Sequence, residues 1–271
     1  MSYKLIVGWL YPTLMSTYGD RGNIIVLEKR CQWRGIDVEI KKLDIGFTTN
    51  ELKKCDLLFM GGAQDRQQKI VAKDLNPPAG GKKELLSKMI EQGTPGLYIC
   101  GAYQFLGKYY KEADGTIIDG LGIFDLYTES PGENAKRLIG NIVIEVFGGL
   151  FDDLVGQAHE TYEVSAHNVQ LVGFENHGGR TYLGKGVKPL GSVKVGFGNN
   201  GTDKTEGAVY KNSIGSYLHG PILPKNPHLA DWLITAALVK KYKKKIELRG
   251  LDDSLEWKAR TAIAQKLGIS I

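Results

Sequence analysis

Between residues 4 and 110, short apolar runs alternate with stretches of helical periodicity, and few folds accommodate that alternation. Residues 4–10 read as an apolar strand, 20–34 as a helix stopped by Gly35, and 36–43 as a strand of period two. Residues 56–60 form a buried run ending in Gly61-Gly62. Residues 64–75 and 82–92 are helical, separated by the breaker Asn76-Pro77-Pro78-Ala79-Gly80-Gly81, and 95–99 form a further strand. This repetition predicts an α/β fold with a doubly wound, mostly parallel sheet.

After Gly115 the texture changes to β-branched runs punctuated by glycine, at 122–127, 137–147, 170–174, 192–197, 207–210 and 213–218. These are expected to be added antiparallel strands beside the parallel sheet. Asn226-Pro227 opens a helix to about residue 242, with Pro at the first helical position. An amphipathic segment at 251–267 packs on the domain or on a partner. No repeat or linker divides the chain, so a domain over 1–242 with a C-terminal helical appendage over 243–271 is expected.

The 271 residues carry a formal net charge of +5, and much of the excess lies in Lys240-Lys241-Tyr242-Lys243-Lys244-Lys245. Such a run suits an anionic partner or membrane surface, or the end of a helix, whose C-terminus favours cations. With no aromatic-studded basic groove beside it, the helix end is favoured and no nucleic-acid partner is expected. No apolar run reaches the roughly 18 residues of a membrane span, and the first residues read as a strand rather than a signal peptide. A cytoplasmic protein is expected. The three cysteines, Cys31, Cys55 and Cys100, are widely spaced and suggest neither a disulfide framework nor a metal site.

The strand at 95–99 delivers Cys100, followed by Gly101-Ala102 and a helix-like run. That order places a thiol on a sharp strand-to-helix turn at the carboxyl edge of the sheet, where open α/β sheets bind ligands. Amides at a helix start favour thiolate over thiol, and the thiolate is the nucleophile. A nucleophile needs a base. Of five histidines, His219, at the end of a strand-like run in Gly215-Ser216-Tyr217-Leu218-His219-Gly220-Pro221, is best placed. His177 competes with it, His228 opens a helix, and His159 and His167 lie in a loop-like insert. Gly61-Gly62-Ala63 ends a sheet strand, so the Gly62 and Gly101 amides are expected to form an oxyanion hole. Gly19-Asp20-Arg21-Gly22 follows the first strand but matches no nucleotide-binding pattern.

Ile99-Cys100-Gly101-Ala102-Tyr103-Gln104, together with Tyr217-Leu218-His219-Gly220-Pro221, resembles class I glutamine amidotransferases of the cobyric-acid-synthase type, which have a flavodoxin-like fold. Within that group the chain is similar to the amidotransferase subunits of lipid II isoglutaminyl synthase. The likeness extends through segments 18–25, 59–66, 120–130, 137–141, 172–182 and 196–200, and covers about residues 3–239. It implies a Cys100–His219 pair and Arg137 as the fork for the substrate glutamine's carboxylate, with Gln104 also binding substrate. It also implies a heterodimer with a Mur-ligase-like subunit that holds ATP and Mg²⁺ and acts on lipid II, with no cofactor in this chain. Alternatives are an amidotransferase component for another acceptor such as corrinoid carboxylates, a catalytically silent module that steadies a partner, and a stand-alone cysteine hydrolase.

Three departures from the family pattern stand out. Ala102 and Ala63 each replace a glycine, which would cost about 1 kcal/mol or more at positive φ. An insert spans 148–168. Pro221 stands where many relatives carry the glutamate that orients the histidine, so the third acid is expected from elsewhere in the fold or, in trans, from the partner.

Overall fold

The computed structural model describes residues 3–76, 81–148 and 169–270. The insert read at 148–168 therefore lies outside the described residues apart from Gly148, and with it His159 and His167. Parallel strands β1 (Lys4–Leu10), β2 (Asp37–Leu43), β3 (Leu57–Met60) and β4 (Gly96–Ile99) alternate with helices α1 (Arg21–Trp33), α2 (Thr49–Leu52), α3 (Asp65–Leu75) and α4 (Lys82–Glu91). The short helix α5 (Gly101–Leu106) follows Cys100. Every residue of β3 and β4 is buried, as expected of strands covered on both faces.

The remaining strands are β5 (Tyr109–Lys111), β6 (Ile117–Asp119), β7 (Leu126–Glu129), β8 (Leu138–Val146), β9 (Gln170–His177), β10 (Arg180–Leu183), β11 (Gly191–Val195), β12 (Thr205–Glu206), β13 (Ala208–Tyr210) and β14 (Ser213–Ser216). The main sheet has the order β13-β14-β4-β3-β1-β2, and two four-stranded sheets, β10-β7-β5-β6 and β12-β11-β8-β9, lie beside it. The run at 213–218, expected among the antiparallel strands, instead enters the main sheet. There β14 lies parallel to β4, with Ser213 opposite Gly96 and Ser216 opposite Ile99. All four of its residues are buried, so it takes an interior position and leaves β13 as the antiparallel edge.

Helix α6 (Pro227–Tyr242) packs against α1, and α7 (Ser254–Lys266) closes the described chain. The segment after Tyr242 packs on the domain. The buried Arg30 of α1 forms ion pairs with Asp231 of α6 at 2.7 Å and Asp253 at 2.5 Å. Arg260 of α7 donates to Asn226 Oδ1 at 2.7 Å, and Asn226 in turn grips Val172 of β9 through both its backbone N–H and C=O.

Candidate active site

Adjacent strands β14, β4, β3 and β1 end side by side, and the connection leaving each carries one part of the site: His219, Cys100, the loop 61–63 and Asp20. Cys100 itself is the elbow. Its backbone sits at φ 51 and ψ −105, a region that is costly for any side-chain-bearing residue and persists where the surroundings hold it. They hold it here at both ends. The Cys100 N–H donates to Ser216 O at 2.8 Å, and the Cys100 carbonyl accepts the first helical bond, from Gln104 N at 2.9 Å. Gly101 is required next, because a Cβ there would stand 2.8 Å from the Ala63 nitrogen. Neither Ala63 nor Ala102 has positive φ, so alanine is harmless at both.

His219 is fully buried, with Nδ1 3.7 Å from Asp20 Oδ1. Burial opposes charging of the imidazole, but the charges of Cys100 and Asp20 outweigh it and hold the pKa above the ordinary histidine value. Neither ring nitrogen is hydrogen-bonded to another group among the described residues. The edge of Tyr18 covers the ring at 5.1 Å between centroids. Asp20 is also fully buried, and its second oxygen accepts from Gly62 N at 2.6 Å. An aspartate at a helix start ordinarily caps that helix, yet Asp20 makes no capping bond and turns inward.

Cys100 opens onto a cleft of about 630 Å³ that Arg137, Gln104 and Asp65 also line. Arg137 is anchored on Asn176, donating from Nε to Oδ1 and from Nη2 to the backbone carbonyl, each at 2.9 Å. Among the described residues its remaining guanidinium donors have no hydrogen-bond acceptor. Gln104 is buried and committed at both ends of its amide, accepting from Gln68 at 3.1 Å and donating to the Tyr217 hydroxyl at 3.0 Å. His177, the competing histidine, is buried and stacked on Tyr217 with centroids 3.6 Å apart, and its Nδ1 bonds Gly179 O at 2.8 Å. Burial lowers its basicity, and its charged neighbour at 3.7 Å is Glu175.

Residues 6–227 match the CobB/CobQ-like glutamine amidotransferase domain family. The chain belongs to that family. This amidotransferase is 44% identical over 241 residues to the lipid II isoglutaminyl synthase (glutamine-hydrolyzing) subunit GatD of Staphylococcus aureus, a match covering 88% of this chain and 86% of that protein. It is 43% identical over 255 residues to the GatD subunit of Streptococcus pneumoniae, covering 93% and 88%. A probable cobyric acid synthase of Methanothermobacter thermautotrophicus is more distant, at 30% over 190 residues, or 68% of this chain and 33% of that one. Among solved structures, the Trypanosoma brucei CTPS glutaminase domain with bound acivicin superposes with a TM-score of 0.53 at 11% identity, covering 90% of this chain and 96% of that one. At that identity the likeness concerns the fold.

Compared with the sequence expectations, Cys100, Gln104 and Arg137 of the amidotransferase line one cleft, His219 and Gly101 follow the adjoining ends of β14 and β4, and two points change. The Gly62 N–H, expected as an oxyanion donor, is taken by Asp20. The next amide along, that of Ala63, has no acceptor among the described residues, lines the cleft and stands beside Gly101. Where Pro221 offers no carboxylate, Asp20 of this chain brings an oxygen to 3.7 Å from His219 Nδ1, close enough for an ion pair with the charged ring but beyond a hydrogen bond. Two residues escaped the sequence reading, Asp20 and the anchor Asn176. The one available signal for Asp20 was an acid in a Gly-flanked loop after the first strand of an α/β sheet.

Proposed function

We propose that this chain is the glutaminase subunit of a lipid II isoglutaminyl synthase, hydrolysing L-glutamine through a Cys100 thioester and passing the ammonia to a partner. The observation that carries the reading is a buried Asp20–His219 pair set against a nucleophile elbow at the floor of a cleft that also holds an arginine fork. The α-carboxylate of glutamine is received by the Arg137 donors that Asn176 does not hold. His219 takes the thiol proton, and Cys100 Sγ bonds to the side-chain amide carbon. The Ala63 and Gly101 amides receive the developing oxyanion. When the C–N bond breaks, His219 returns the proton to the departing nitrogen and ammonia leaves. Water then gives a proton to His219 and attacks the thioester, releasing glutamate and restoring the thiol. Asp20 keeps the imidazole oriented and favours its charged form in both half-reactions.

The ammonia acceptor is the α-carboxyl of D-glutamate in the lipid II stem peptide. The partner is a Mur-ligase-like subunit, which holds the ATP and Mg²⁺ that activate that carboxyl, and the heterodimer works in the cytoplasm at or near the inner face of the membrane. No helix among the described residues is long and apolar enough to cross a membrane, which fits this arrangement. The test is an amidation assay of the purified heterodimer with lipid II, glutamine and ATP. Cys100→Ala is expected to abolish amidation from glutamine while ammonium chloride restores it. Undiminished glutamine-driven amidation by that variant would refute the reading.

A further inference from the structure

A free glutamine molecule is a zwitterion, and a site that selects it has to satisfy an ammonium as well as a carboxylate. Arg137 accounts for one of these charges. Several of the oxygen atoms around it are occupied. Asn176 O and Oδ1 both accept from Arg137, Gly178 O accepts from Arg180 Nη1 at 2.7 Å, and Gly179 O is bonded to His177 Nδ1. Gln104 Oε1 accepts from Gln68. Asp20 and Glu175 are fully buried and hold backbone amides, Asp20 that of Gly62 and Glu175 those of Phe197 and Gly198.

One carboxylate remains. Asp65, the first residue of α3, is the only acidic residue lining the cleft among the described residues. It has no lysine or arginine within ion-pair distance among those residues, although Lys69, one turn on, pairs with Glu112 at 2.6 Å. Its neighbours on the cleft side are the Tyr110 hydroxyl and the more distant Arg137. An acid in the first turn of a helix is ordinarily a solvated partner of the helix dipole. This one is half-buried and faces the cavity onto which the nucleophile opens.

We infer that Asp65 binds the α-ammonium group of glutamine opposite Arg137, so that the cleft reads both charges of the amino-acid end and selects glutamine over simpler amides. The inference rests on the glutaminase reading above and deepens it. Asp65 touches no reacting atom in this scheme, and its effect is on binding and selectivity. A site built around a charged partner rejects an analogue lacking that partner, because the carboxylate is then left desolvated and unpaired.

The experiment compares glutamine with glutaramate, the same molecule without its α-amino group, as substrates for the heterodimer and for its Asp65→Asn and Asp65→Glu variants. The wild type is expected to prefer glutamine strongly. Asp65→Asn is expected to raise KM for glutamine about tenfold or more with a smaller change in kcat, to raise kcat/KM for glutaramate by relieving the unpaired carboxylate, and so to narrow the preference by more than the change in KM alone. Asp65→Glu is expected to recover much of it. An active wild type whose preference is unchanged in Asp65→Asn overturns the assignment of Asp65 alone, whereas a wild type inert toward glutamine overturns the proposed function and this inference with it. Should Asp65→Asn fail to fold, a wild type that handles glutamine and glutaramate equally well overturns the inference without the variant.

Discussion

Asp20 and His219, from opposite ends of the chain, meet with Oδ1 3.7 Å from Nδ1, both side chains fully buried. The same carboxylate receives the Gly62 amide at 2.6 Å, so one residue links the imidazole to the loop 61–63 that follows β3. Asn at position 20 keeps the shape but removes the charge and can stabilise the wrong tautomer. Asp20→Asn is expected to lower kcat for glutaminase activity by roughly 10²- to 10³-fold, with KM for glutamine little changed. The sign of the pH effect follows from Asp20 raising the His219 pKa. Without that charge the imidazolium loses its proton at lower pH, and the alkaline limb of the pH–rate profile moves toward neutrality. An unshifted limb in steady-state profiles would remove Asp20 from the mechanism.

Gly22 gives a measure of how tightly the His219 loop is held. A Cβ at this position would lie 2.4 Å from Pro221 Cγ, two residues beyond the histidine. Lys225 Nζ fixes the same loop, donating to the carbonyls of Gly220 and Pro221. Gly22→Ala must push Pro221 away and the imidazole with it. A loss in kcat of about tenfold is expected, since small displacements of a reacting group are felt steeply, while glutamine binding stays close to that of the parent. Kinetics and a thermal melt on the same preparation separate misplacement from unfolding.

Glu206 lies fully buried beneath the strand that leads to His219, accepting from the Ser216 hydroxyl at 2.8 Å and the Tyr217 amide at 2.7 Å. Burial pushes its pKa up from 4.5 to about 8, against the pull of those two bonds. The folded state therefore holds this proton more tightly than the unfolded chain. Its contribution to stability is complete below the ordinary 4.5 and is lost as pH rises toward about 8. The loss approaches about 1.4 kcal/mol per pH unit within that window. Glu206→Gln substitutes a neutral side chain of the same shape, and denaturant unfolding at several pH values should show a flatter profile than the parent's. Parallel profiles would mean that Glu206 titrates as an ordinary carboxylate.

The Arg30 guanidinium, 2% exposed, is the cation shared by Asp231 and Asp253. Removing it leaves Asp253, itself 3% exposed, as a buried charge without that partner. Arg30→Ala is expected to destabilise the fold by about 3–5 kcal/mol. Because Asp253 immediately precedes α7, limited proteolysis should cut first between residues 243 and 253 in the variant. An unaltered melting temperature would show that the ion-pair cluster is dispensable.

The sequence by itself determined the sheet and its reactive edge. Alternating apolar runs and helical stretches dictate parallel strands, and the Cys100-Gly101 step at the end of one dictates the elbow, because both are local consequences of side-chain periodicity and backbone freedom. The family motifs likewise marked Cys100, His219 and Arg137. Tertiary structure alone decided the rest. Strand β14 reads as one more glycine-punctuated run, and only its burial beside β4 places it inside the parallel sheet. Pro221 marks a position without a carboxylate but does not reveal that Asp20 lies 3.7 Å from His219, since the two meet across strands β1, β3, β4 and β14 rather than along the chain. Which amide of the loop lacks an acceptor among the described residues is decided the same way: Gly62 and Ala63 are alike in sequence terms, and the difference is that a distant carboxylate holds the Gly62 N–H. Periodicity encodes what each segment buries. Which buried polar groups then satisfy one another is settled only when the strands are side by side.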